Sequence, residues 1–152
     1  MANPIYKVLN PIVKTILKSP LHSIMSGDIV LLKFTGRKSG RELSTPVSYR
    51  VVDNSIHCFT DKVNQWWRNL DNVDSIELVL KGKALTGKPT VVSNDSEVIS
   101  KAFGDFLTAL PRSASFSDVR LDKEKKPNLD DVERAAKELV FIEIKLTDQT
   151  ID

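Results

Sequence analysis

The chain has 152 residues, a formal net charge of +2, 41% hydrophobic residues and a single cysteine, Cys58. That length suits one domain that buries about two-thirds of its unfolded surface without a metal or disulfide staple, and one cysteine rules out an internal disulfide. The small net charge, with no long cationic run, argues against nucleic acid as partner, and the absence of a bilayer-length apolar stretch or a signal-cleavage pattern predicts a soluble, cytoplasmic protein.

In chain order, Asn3-Pro4 and Asn10-Pro11 each look like a helix N-cap followed by proline at the first helical position. Ile5, Val8, Leu9, Ile12, Val13, Ile16 and Leu17 recur at helical spacing, with Lys7, Lys14 and Lys18 opposite. Residues 1–26 therefore read as an amphipathic cationic helical segment that covers one side of the core. Its alternative use is peripheral contact with the inner membrane face.

Ile29 to Phe34 reads as a buried strand, and Val47, Tyr49 and Val51, alternating with Ser48 and Arg50, as its half-exposed partner. Asp53-Asn54 turns the chain into a third strand, Ile56 to Thr60, where Cys58 is expected to be buried. Asn64 is a candidate cap for a short helix holding both tryptophans, Trp66 and Trp67. Adjacent helical residues point about 100° apart, so one tryptophan is expected to pack inward and the other is free to cover a ligand or plug a cleft. Ile76 to Leu80 and Ala84 to Val92 form further strands, with Gly82 at a bend or bulge and Pro89 near an edge. Asn94 with Glu97 opens a helix whose stripe runs from Val98 to Leu110, and Pro111 stops it. Polar residues 112–126, with Phe116 and Leu121 as anchors, suggest a mobile flap. Asn128 then caps a last helix before the strand Val140 to Leu146. About six mostly antiparallel strands with flanking helices predict a single α+β domain over residues 1–152, with a small barrel as its sheet.

The turn between the first two strands, Gly36-Arg37-Lys38-Ser39-Gly40-Arg41, holds two glycines and three cations. Glycine permits positive φ and close backbone approach, so consecutive N–H groups can face an anion while the cations supply charge. The turn reads as a phosphate-gripping hairpin, or else as a basic hairpin whose cations are solvated. No metal-ligand spacing links His22 or His57 to Cys58 and the acids, and no nucleophile has an attendant base. If the chain is an enzyme, a cofactor carries the reaction.

Thr35-Gly36-Arg37-Lys38-Ser39-Gly40, then Thr45-Pro46-Val47, then Trp66-x-x-Asn69-Leu70 resemble the deazaflavin-dependent nitroreductase and quinone reductase family of split β-barrels. That resemblance implies a split barrel and an oxidoreductase using reduced coenzyme F420, with hydride passing to a quinone-like or other conjugated small molecule. It further implies that Arg37, Lys38, Ser39 and Gly40 bind phosphate, with Arg41 covering the acidic tail. Thr45, Pro46 and Val47 would lie along the ring, Thr60 at the ring or phosphate end, and Trp66 and Asn69 would close the pocket. The chain departs from the family pattern at Leu43, where a second arginine is frequent, and at Asp61, where lysine is common. The tyrosines that wall nitroreductase sites are replaced near Pro111 by Leu110, Arg112, Ser113 and Phe116. The alternatives are FMN or haem on the same barrel, or a non-catalytic protein binding a lipid. A homodimer is compatible with any of them.

Overall fold

The computed structural model describes residues 29–116 and 118–147, so the N-terminal helical segment expected over residues 1–26 lies outside the described residues. Seven strands form one antiparallel sheet: β1 (Ile29–Thr35), β2 (Glu42–Ser48), β3 (Arg50–Val52), β4 (Ser55–Asp61), β5 (Ile76–Leu80), β6 (Lys83–Val92) and β7 (Leu139–Leu146). A 3-10 helix, Gln65–Leu70, separates β4 from β5. Two α-helices, α1 (Ser96–Ala109) and α2 (Leu129–Ala136), lie between β6 and β7, with a second 3-10 helix, Pro111–Phe116, after α1.

The strand order β2-β1-β5-β6-β7-β4-β3 places β2 and β3 at opposite edges of the sheet. A flat sheet of this order would be roughly 29 Å across, yet Tyr49 alone joins Ser48 to Arg50, and one residue spans only about 3.5 Å. The sheet must therefore curl until its edges meet. This corrects the expectation of a continuous strand through Val47, Tyr49 and Val51. The chain breaks at Tyr49, which is buried in the barrel, and crosses from one edge to the other, giving seven strands where about six were expected.

Alternation assigns the two faces of the sheet. Val30, Leu32, Phe34, Ile56, Cys58, Leu78, Leu85, Val140, Ile142 and Ile144 fill the barrel interior. Burial in that interior pushes the Cys58 thiol up to about 12. The outer face of β4 and β7 carries Phe59 and Phe141, which α1 covers with Phe103 and Phe106; the Phe59 ring lies 5.1 Å from each of the other three. Where both faces are covered, the first half of β7, Leu139 to Ile142, is an unbroken apolar run, and alternation with Glu143 and Lys145 follows. On the same outer face His57 pairs with Glu143 across β4 and β7 at 2.9 Å, which satisfies the strand histidine.

The local signals shift in detail. Lys81-Gly82, both at positive φ, makes a two-residue hairpin turn between β5 and β6 instead of a bulge. Pro89 lies in the half of β6 that runs past the end of β5 and pairs only with β7, so its missing N–H breaks no central ladder. The α1 cap is Asp95, accepting from the Val98 amide at 3.2 Å, in place of Asn94. Asn128 caps α2 as expected, through the Asp131 amide at 2.9 Å. Residues expected to form a flap are anchored: Val119 is buried, Leu121 bridges to Pro127, and the Lys126 amide donates to Asp122 at 2.9 Å. The side chains of Arg112 and Phe116 lie outside the described part. Among the described residues no helix is long and apolar enough to cross a membrane.

Candidate functional site

The turn from Gly36 to Arg41 is shaped by its own backbone. The Gly36 amide donates to the Arg41 carbonyl at 2.8 Å, the Gly40 amide to the Gly36 carbonyl at 2.9 Å, and the Arg41 amide to Ser39 Oγ at 3.2 Å. A Cβ on Gly36 would sit 2.7 Å from Ser39 Oγ, so only glycine lets the serine fold in; Gly40 has φ +70 and open space beyond it. Four of the six amides are thereby committed, because that of Arg37 donates to Asn69 Oδ1 at 2.9 Å. The adjacent amides of Lys38 and Ser39 have no acceptor among the described residues, and the Ser39 hydroxyl keeps its own hydrogen to donate. The donors left available for an anion are thus fewer than composition implied: two amides, one hydroxyl and the exposed side chains of Arg37, Lys38 and Arg41.

Asn69 ties this turn to the tryptophan helix. Its Nδ2 donates to the Trp66 carbonyl at 2.9 Å while Oδ1 receives Arg37, and Arg37 Nη1 reaches the Arg68 carbonyl at 3.2 Å. Both tryptophans are buried, which corrects the expectation that one is free to cover a ligand. The reason is that the helix packs between β1 and β6, with protein on two sides. Trp66 stacks on Phe34 at 5.9 Å. Trp67 Nε1 donates to the Lys62 carbonyl at 3.1 Å, and Arg68 lies 5.0 Å over its ring. The side chain of Asn64 makes no cap; its Nδ2 donates to Thr60 Oγ1 at 3.4 Å.

A cleft of about 1050 Å³ opens between β2, β4 and the two α-helices. Pro46 and Val47 line one wall, Thr60 and Asn64 an end, and Phe59, Phe103 and Phe106 an apolar floor. Thr45 does not reach it: cross-strand pairing with Leu32 turns it into the barrel, where it is 1% exposed and its Oγ1 has no partner among the described residues. The predicted residues thus form two groups, the turn with Trp66 and Asn69, and Pro46, Val47 and Thr60 in the cleft. Trp66, Asn69 and residues 37–41 are not part of the cleft wall.

Sequence reading missed the part of the cleft lining built by Arg120, Asp131 and Arg134. Asp131, in the first turn of α2, accepts from Arg120 Nε at 2.8 Å, from the Arg120 amide at 3.0 Å and from Arg134 Nη1 at 3.0 Å. The Arg120 guanidinium bond and then the amide bond hold its carboxyl well below the usual carboxylate range. The Asp131–Arg134 spacing on a helix was readable; nothing local pairs Arg120 with Asp131.

Comparison with curated proteins finds no match. Among solved structures the fold is similar to a pyridoxamine 5'-phosphate oxidase-related, FMN-binding protein of Nostoc punctiforme, with TM-score 0.54 and 13% identity over 90% of this chain and 78% of that one. It is also similar to HutZ, the haem storage protein of Vibrio cholerae, with TM-score 0.56 and 9% identity over 88% of this chain and 93% of that one. At such identities the likeness shows the split-barrel fold alone. The family model for F420H(2)-dependent quinone reductase matches residues 16–101, more than half of the chain and the whole stretch from the basic turn through the tryptophan helix, so the chain belongs to that family.

Proposed function

We propose that the protein is an F420H2-dependent oxidoreductase that reduces a quinone-like or other conjugated small molecule. The observation that carries this reading is the docking of the basic turn onto the tryptophan helix by Asn69, which holds the cations in one place beside the barrel. Family membership supports it. When bound, the reduced deazaflavin supplies the hydride, and this chain supplies binding and orientation. The amides of Lys38 and Ser39, with the Lys38 and Arg41 side chains, hold the phosphate. Pro46 has no N–H to leave unsatisfied where a flat ring approaches the strand. Thr60 closes the ring end, and the phenylalanine floor excludes water from the acceptor. A volume of about 1050 Å³ is enough for a tricyclic ring with a stacked partner.

FMN in place of F420 is the second reading. It draws on the FMN-binding description of the Nostoc punctiforme protein and on Leu43, which packs against the barrel core where the family often carries an arginine for an acidic tail. Titrating F420 and FMN side by side separates the two. Saturable F420 binding that weakens by about 1–3 kcal/mol in Lys38→Ala is expected, the scale of a charge-assisted hydrogen bond. A flavin-coloured preparation that ignores F420 would favour FMN, and binding of neither would sink both readings.

A further inference from the structure

The part of the cleft lining built by Arg120, Asp131 and Arg134 carries an arrangement that hydride transfer does not require. Asp131 is 3% exposed and is shared by two guanidinium groups. Arg120 meets it through Nε at 2.8 Å and Nη2 at 3.2 Å, and Arg134 through Nη1 at 3.0 Å. Arg134 Nη2 also donates to the Asp118 carbonyl at 3.0 Å. One carboxylate between two cations leaves a surplus positive charge. The arginine side chains remain 76% and 59% exposed, and Nη1 of Arg120 and Nε of Arg134 have no acceptor among the described residues.

An exposed arginine ordinarily loses rotamer freedom when it grips an anion. These two are already held by a buried partner, so that cost falls. A guanidinium with one edge fixed presents another edge of N–H groups in the geometry of a carboxylate. The carboxylates of Asp61, Asp118 and Glu138 and the ammonium of Lys137 also border the cleft, so recognition here depends on fixed donor edges and not on bulk charge. The floor of Phe59, Phe103 and Phe106 suits a flat apolar body beside that anionic end.

We propose that Arg120 and Arg134 are the acid-recognising end of the acceptor site and select planar acceptors that carry a carboxylate over neutral ones. This rests on reading the cleft as the acceptor site. The basic turn lies outside the cleft wall, so the cofactor's phosphate and the acceptor's acid have separate places.

The test titrates a naphthoquinone carboxylate and its methyl ester into the full chain without cofactor, by calorimetry, for wild type, Arg120→Gln, Arg134→Gln and Arg134→Lys. The acid should bind about tenfold more tightly than the ester in wild type. Both glutamine variants should bring the acid-to-ester ratio near one, and Arg134→Lys, which keeps the charge without the fork, should fall between. Equal affinities in wild type, or a ratio unmoved in the variants, would overturn the proposal. So would a glutamate tripeptide competing as strongly as the quinone acid, which would hand the wall to the cofactor's tail. If a glutamine variant fails to fold, circular dichroism reveals it and Arg134→Lys decides the ratio. Because this readout needs no cofactor, failure of wild type to oxidise F420H2 with a neutral quinone is a separate result that strikes the functional reading alone.

Discussion

Asn69, within the tryptophan helix, makes two hydrogen bonds at 2.9 Å, accepting from the Arg37 amide of the basic turn and donating to the Trp66 carbonyl inside the helix, so Asn69→Ala removes both at once. Each such bond contributes about 0.5–1.5 kcal/mol net. The Arg37 amide is exposed enough for water to replace its lost partner, so the sum should lie at about 1–2 kcal/mol. In a domain of this size that is a fall of roughly 3–6 °C in Tm. Asn69→Asp is the informative companion, since it keeps an oxygen for the Arg37 amide but sets a second one against the Trp66 carbonyl. Thermal unfolding by circular dichroism measures stability, and an F420 fluorescence titration reads the turn. If docking places the cations, affinity should fall further in Asn69→Ala than in Asn69→Asp, even where Asp costs as much stability. A Tm within about a degree of wild type would refute the energetic argument, and a lowered Tm with unchanged affinity would refute the link between docking and anion binding.

Other expectations follow from single positions. Gly87→Ala would put a Cβ 2.6 Å from Ile144 Cγ2 and 2.9 Å from the Lys145 carbonyl oxygen. Since strand backbone cannot step aside, chemical denaturation should show a loss of about 1–3 kcal/mol, and a neutral result would mean the barrel relaxes there. The Asp131 carboxyl is held below its ordinary range by Arg120, so its stabilisation is complete above the unfolded value near about pH 4 and is lost as pH falls through the folded one. The stability gap between wild type and Asp131→Asn should therefore be flat at neutral pH and narrow on acidification; widening would reverse the sign. Cys58, its thiol pushed up to about 12 and its Sγ directed at the Ile142 carbonyl, should resist a disulfide reagent at mildly alkaline pH until denaturant is added. Rapid native labelling would contradict its burial.

Alternation in Ile76–Leu80 and Leu139–Leu146, the stripe on α1 and the Asn128 cap were legible in the sequence because each is a relation between residues within a few positions of one another. The basic turn was legible from its glycines and cations, and Trp66-x-x-Asn69 through the family resemblance. Only the tertiary structure decided which partner each strand takes. Curling sent β3 to the edge opposite β2, turned Thr45 inward, and packed both tryptophans between strands. The loop before α2, closed by the Leu121–Pro127 bridge and the Asn128 amide on the Arg120 carbonyl, brought Arg120 onto Asp131, 11 residues away in the chain. Local periodicity reports which face of a segment is apolar; it carries no information about which distant segment covers that face, because that choice is made by the closure of the whole sheet.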